Sequence, residues 1–351
     1  MSLYFVRTLV AGSLLAAPAF AGPVSLGEQF FHKDWAAACD NSLACEAVSL
    51  APDGNMSDAP WVRIARESGA EAVTVQIGLP ELKGDRYRIL IDGRLVDTGS
   101  LSKGEWAIEA EVRNAWKLAR AIGRGRKMLI LGADGTKLGE RSLNGSAAAL
   151  IHIDHLQNRA WTRSALLRSG RKPLRTKSVP LPVLAVQPIG KVAAVPDAGT
   201  IIGVVENSGC TEDPQAVTEN SAISLGKRNG VNQALVLVSC GSGAYNMAMA
   251  SYVGTSTDGK KWNFAPARFD FPEKPDAGMG GVTLQSNAQW DAASQQLSSF
   301  HKGRGIGDCG TSARYVWDGI QFRLVEAKGM DQCSGARSWL TLWRAKVELV
   351  N

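Results

Sequence analysis

Six cysteines behind a short apolar leader constrain this chain of 351 residues more than any other feature. The chain opens Met-Ser-Leu-Tyr-Phe-Val-Arg, continues with an apolar stretch, and reaches Ala19-Phe20-Ala21. A short positive start, an apolar segment too brief to span a bilayer and an Ala-x-Ala step predict a secretory signal peptide over residues 1–21. The mature chain is then expected to begin at Gly22 and to work in the periplasm or outside the cell. In such an oxidising compartment an even cysteine count reads as a disulfide framework. Cys39 and Cys45 are separated by five residues, of which Asp40-Asn41-Ser42 supply turn chemistry, so they are expected to pair. Cys210–Cys240 and Cys309–Cys333 are expected to pair within the second half. Proximity is the only warrant, because six cysteines allow 15 connectivities.

A mature chain of about 330 residues suggests two domains. Hydrophobic residues make up 45% and charged residues 21%, the composition of a globular protein with a real core. After the leader no apolar run approaches the ~18 residues that a membrane helix needs, so no transmembrane segment is expected. No cysteine stands at the cleavage site to carry a lipid. The net charge of +6 permits attraction to anionic envelope polymers or lipid head groups. The compartment disfavours nucleic acid.

Along the chain, Trp61-Val-Arg-Ile-Ala, Val73-Thr-Val-Gln-Ile and Tyr87-Arg-Ile-Leu-Ile alternate apolar and polar residues, the signature of half-buried strands. Asp92-Gly93 predicts a tight hairpin turn, and Asp134-Gly135, Asp258-Gly259 and Asp318-Gly319 predict others. Ser102-x-x-Glu105 reads as a capping box opening a helix that carries Ile108, Val112, Ala115, Ala119 and Ile122 on one face. A second helix is expected from about Asn144 to Leu167. Beyond it, residues 159–177 hold seven cations and no acid: Arg159, Arg163, Arg168, Arg171, Lys172, Arg175 and Lys177. Five prolines then mark an extended connector, so residues 173–200 are expected to link an N-terminal domain (22–172) to a C-terminal one (201–351). In the second half, Ile201-Ile-Gly-Val-Val, Ala234-Leu-Val-Leu-Val, Arg314-Tyr-Val-Trp and Gln321-Phe-Arg-Leu-Val read as strands. The expected fold is α+β: an antiparallel sheet with two packed helices, then a mostly-β domain, with disulfides.

Three groups of residues invite a chemical reading. Gly307-Asp308-Cys309-Gly310 resembles the nucleophile loop of chymotrypsin-like cysteine proteases, in which backbone amides form an oxyanion hole and a histidine activates the thiolate. His32, His152 or His155 would be the base. The opposing reading is a structural disulfide to Cys333, favoured by the compartment and the even count. His152-x-Asp154-His155 places two imidazoles at i and i+3, a possible metal spacing with no third ligand signalled, so solvated helix histidines are the expectation. The seven cations are either the solvated end of a helix or a partner surface gripping phosphate or carboxylate. The ten tryptophans (Trp35, Trp61, Trp106, Trp116, Trp161, Trp262, Trp290, Trp317, Trp339 and Trp343) are read as packing, with a sugar-stacking platform as the alternative.

Asp34-Trp35…Cys39-Asp40-Asn41…Cys45, Ser142-Leu-Asn-Gly, Ile153-Asp154…Gln157-x-Arg159, Gly243-Ala-Tyr-Asn246, Gly307-Asp-Cys-Gly310, Trp317-Asp-Gly and Met330…Cys333 together resemble an uncharacterised family of proteobacterial secreted proteins, catalogued as a domain of unknown function (DUF1176). The first half is also similar to invasion-associated locus B proteins, which implies an envelope setting. Neither resemblance supplies catalytic residues. The expectation is a non-enzymatic periplasmic or secreted protein that binds an envelope component (protein, glycan or anionic lipid), with no cofactor, no metal and no catalytic residue. The alternative is a hydrolase with Cys309 as nucleophile.

Overall fold

The computed structural model describes residues 24–51, 60–80, 84–103, 108–110, 112–174, 178–190, 193–210, 222–271 and 282–350. The expected leader, Glu105, Arg175 and Lys177 lie outside them.

The first half builds β1 (Gln29–His32), β2 (Trp35–Cys39), β3 (Cys45–Ser49), β4 (Trp61–Arg66), β5 (Thr74–Leu79), β6 (Arg86–Ile91), β7 (Arg94–Lys103), β8 (Ile108–Ala110), α1 (Ala115–Ile122), β9 (Lys127–Gly132), β10 (Lys137–Ser142) and α2 (Ser146–Leu156). Its strands form one antiparallel sheet in the order β1-β2-β3-β4-β5-β8-β7-β6-β9-β10. Alternation sets the faces: in β4 every second residue is buried, and β6 follows the same rule. Asp92 and Gly93 both take the left-handed conformation (φ 49° and 79°) that a two-residue hairpin demands.

The sheet curls until its far end meets its beginning. Asp34 N–H donates to Asn144 O at 3.1 Å, and the Ser142 hydroxyl donates to the Asp34 carboxylate. A Cβ on Gly145 would lie 2.1 Å from the His32 carbonyl oxygen, so only glycine fits there. Both helices fill the curl. Leu118, Ala119 and Ile122 of α1 and Ala149, Leu150 and Ile153 of α2 join Trp35, Ile64, Ile77, Tyr87, Ile89 and Ile130 in one core.

The second half begins with β11 (Val183–Val186) and α3 (Ala198–Asn207). It continues with β12 (Ala222–Arg228), β13 (Val231–Ser242), β14 (Met247–Ser256), β15 (Asn263–Pro266), β16 (Leu284–Ser286), β17 (Gln289–Asp291), β18 (Gln296–Lys302), β19 (Gly310–Trp317), β20 (Phe322–Met330), β21 (Leu340–Arg344) and β22 (Lys346–Leu349). Two antiparallel sheets result, β12-β13-β14-β15 with β16 on β14, and β17-β18-β19-β20-β21. Strand β11 pairs in parallel with β22, which ties the proline-rich segment to the end of the chain.

The halves are bonded to each other. Ala36, Ala38, Val48 and Leu50 pack against Cys309, Met330, Ala336, Leu340 and Leu342. Gly27 N–H donates to Leu342 O at 2.9 Å and Ala51 N–H to Ser334 O at 2.8 Å. Arg344 pairs with the buried Asp40, and its backbone exchanges two hydrogen bonds with the Asn41 amide (3.0 and 2.8 Å).

Three expectations need correction. Ser102 does not cap a helix: it sits in β7 opposite Glu109 of β8, and α1 starts later, capped by Asn114, whose side chain accepts from Lys117 N at 2.8 Å. The second helix stops at Leu156, not Leu167, because Asn158 turns left-handed (φ 55°), a conformation asparagine tolerates. Ile201–Val205 is helical, not extended. Asp197 caps it by accepting from Thr200 N at 2.7 Å, and Ile201, Val204 and Val205 share the buried face. The architecture is accordingly predominantly antiparallel β with three helices among the described residues.

Candidate functional site

Beyond α2 the chain enters a pinned loop that carries the first four exposed cations of the expected basic surface and one tryptophan. The pin starts with Asp154, the last acid before the basic run. Its carboxylate turns inward and accepts from Arg66 Nη2 at 2.7 Å with one oxygen. The other oxygen accepts from the backbone N–H groups of Leu166 (2.7 Å) and Leu167 (3.3 Å). Arg66 also donates to Gln157 Oε1 (2.6 Å) and Ser164 O (3.1 Å). Gln157 Nε2 donates to Leu43 O (2.7 Å) and Arg66 O (3.1 Å). Arg159 donates to the Ser164 hydroxyl (3.0 Å) and to Ala70 O. The Ile-Asp…Gln-x-Arg pattern is thus the scaffold that folds the loop back onto β4.

Arg159 therefore does not belong to the exposed surface expected of it. It is wholly buried, and burial holds its pKa below the ordinary arginine value, with the neighbouring positive Arg66 adding to the shift. Its Nε has no hydrogen-bond partner among the described residues. Burial likewise lowers the pKa of Arg66, against the pull of Asp154.

Above this scaffold sits Trp161. Its backbone is left-handed (φ 68°), an arrangement that costs a bulky residue about 1–3 kcal/mol unless its surroundings enforce it. They do. Trp161 N–H donates to Arg168 O at 2.8 Å, and Lys172 N–H donates to Trp161 O at 3.0 Å. Gly170 lies so close that a Cβ would stand 2.3 Å from the Trp161 carbonyl oxygen. The indole is nevertheless 48% exposed, and the Arg168 guanidinium lies over it, 5.6 Å from the ring centroid, within cation–π range. A recess of about 670 Å³ opens beside the ring, lined by His155, Asn158, Ala160, Trp161, Thr162, Lys172 and Pro173. Arg163, Arg168, Arg171 and Lys172 are all exposed. None has an acidic partner among the described residues, so the surface presents unneutralised positive charge.

The other sequence candidates resolve differently. His152 stacks on Phe30 (4.4 Å, 13°), and burial lowers its pKa below the usual imidazole value. His155 is exposed at the recess, and Asp154 is committed to Arg66, so the three do not converge on a metal. All six cysteines are bonded: Cys39–Cys45, Cys210–Cys240 and Cys309–Cys333. Gly307-Asp-Cys-Gly310 forms a disulfide corner. The buried Asp308 carboxylate holds both Nε (2.7 Å) and Nη2 of Arg304 and accepts from Gly335 N–H at 2.7 Å. The Arg304 hydrogen bond keeps the Asp308 pKa below the usual carboxylate range. A Cβ on Gly310 would lie 1.9 Å from His301 O, which explains that glycine without an oxyanion hole. The Asp308 carboxylate lies within 4.8 Å of both sulfurs, but bonded sulfurs offer no thiolate pair to a metal. In mass spectrometry of the unreduced protein, an alkylating reagent is expected to add no mass, since nucleophilicity belongs to the thiolate. Selective labelling of Cys309 would contradict the bonded state.

Trp161 was missed as a site residue because ten tryptophans dilute the signal. Asn158, inside the expected helix, is the local signal that could have marked the turn, since asparagine tolerates the left-handed conformation it takes there.

Nearly all of this architecture falls within one family. A family model described as a protein of unknown function, DUF1176, matches residues 29–346, and the chain belongs to that family. It is 27% identical to the uncharacterised protein YpfG of Escherichia coli (strain K12) over 366 aligned positions, covering 97% of each chain. No solved structure matches it.

Proposed function

We propose that this protein is a non-enzymatic binding protein of the periplasm or cell exterior. It engages an envelope component through the surface built by Trp161, Arg163, Arg168, Arg171 and Lys172. One observation carries the reading: a half-exposed tryptophan held on a left-handed backbone by the loop that closes around it, with Arg168 over the ring and Lys172 at the recess. Strain of this kind persists where surrounding structure enforces it and clusters at ligand clamps. Tryptophan and arginine are also the side chains that dominate binding energy at interfaces. Three disulfides fit an oxidising setting.

The test is position-dependent capture. A photo-crosslinking side chain in place of Arg163 is expected to trap an envelope component from the producing cell. The same side chain in place of the exposed Lys260, in the turn between β14 and β15, is expected to trap none. Equal capture from both positions, or none from either, would sink the proposal.

A further inference from the structure

We infer that the ligand of this surface is an acidic saccharide, a pyranose bearing a carboxylate or phosphate; the inference rests on the binding role proposed above. The argument starts from the ring. An indole that is 48% exposed offers a flat apolar face, which the axial C–H groups of a pyranose cover well. Beside it the recess supplies the Asn158 amide, the Thr162 hydroxyl and the His155 imidazole, polar groups suited to sugar hydroxyls. Its volume of about 670 Å³ fits a short oligosaccharide segment within the range of small-ligand sites.

The charge argument is independent of the ring. Arg168 is oriented over the indole, and its N–H groups take no acceptor among the described residues. A guanidinium held this way is prepared for a carboxylate or phosphate, which it grips with two parallel hydrogen bonds. Arg163, Arg171 and Lys172 stand exposed in the same segment. Below them, Arg66 is paired with the buried Asp154, while Arg159 bonds only the neutral Ser164 hydroxyl and Ala70 carbonyl, so the floor adds positive charge instead of cancelling it. A neutral glycan would leave these cations unused. An anionic bilayer would be held by the exposed cations alone and would leave the recess beside the ring, with its Asn158, Thr162 and His155 groups, unfilled.

Titration calorimetry on the mature protein tests this with four probes: a polyuronate, a phosphorylated oligosaccharide, a neutral glucan and phosphatidylglycerol vesicles. Binding of at least one acidic glycan is expected, at least about tenfold tighter than the neutral glucan, and whichever binds identifies the acid group. Affinity should fall with salt as charge pairs are screened. Trp161→Ala and the surface pair Arg168→Gln/Arg171→Gln should each weaken binding at least about tenfold, while Trp161→Phe retains most of it. The arginine pair keeps the test sound if the tryptophan variant misfolds, since both side chains are exposed. Equal affinity for the neutral glucan overturns the inference, as does binding unchanged by either variant. Vesicle binding without glycan binding also overturns it. Crosslinked capture from position 163 with no acidic-glycan binding refutes the ligand class and leaves the binding surface standing.

Discussion

Replacing Asp154 by alanine is expected to destabilise the protein by about 3–5 kcal/mol, a large share of the roughly 5–15 kcal/mol that holds a domain together. The reason is charge stranded in the interior. Arg66 and Arg159 are almost completely buried; Asp154 is ion-paired with Arg66, and its negative charge also favours the charged form of Arg159. Removing it leaves two guanidinium groups in low dielectric and frees the backbone N–H groups of Leu166 and Leu167. Urea denaturation followed by far-UV circular dichroism reads the loss as a lowered midpoint. The double variant Arg66→Met/Asp154→Leu should recover only the part of the deficit due to Arg66, because it removes that stranded charge and leaves Arg159 and the Leu166 and Leu167 N–H groups without the carboxylate. A single-variant loss below about 1 kcal/mol would show that the interior tolerates the charges.

Removing the bridge between Cys309 and Cys333, as the double alanine variant, is expected to cost about 3–4 kcal/mol on the chain-entropy model. The bridge spans 24 residues, and that between Cys210 and Cys240 spans 30, so the entropic terms are nearly equal. The two should still differ in consequence. Cys309 is buried in the cluster that joins Ala36, Ala38, Val48 and Leu50 to the second half, whereas the other bridge lies beside α3. Loss of Cys309–Cys333 should therefore loosen the contact between halves as well as the second half itself. Thermal unfolding with and without strong reductant, followed by each double variant, measures this. Equal melting temperatures in all samples would defeat the argument.

Much of the site was legible only in fragments. The seven cations were plain in the sequence, and four of them are exposed where a partner could reach them. Arg159 was not separable from the rest, because nothing local says that an arginine five residues after Asp154 turns inward. Its burial depends on Ser164 and Ala70, the latter 89 residues away. Trp161 has the same history: a left-handed tryptophan is disfavoured locally and exists because Arg168 and Lys172 close the loop around it.

The sequence by itself determined whatever rests on nearest neighbours. Alternation placed β4, β5 and β6, since a half-buried strand needs only a period of two. Asp-Gly pairs placed the turns at residues 92, 134, 258 and 318, since few residues other than glycine and asparagine tolerate positive φ. The cysteines that are close in the chain are also close in space. Tertiary structure decided what neighbours leave degenerate. Ser102 had the right chemistry to cap a helix, yet pairing with β8 claimed its backbone. Ile201-Ile-Gly-Val-Val had strand propensity, yet an Asp197 cap and a buried face made it helical. Each outcome is set by strand pairing, capping and burial in the folded chain, and these exceed the few tenths of a kcal/mol that local preference supplies.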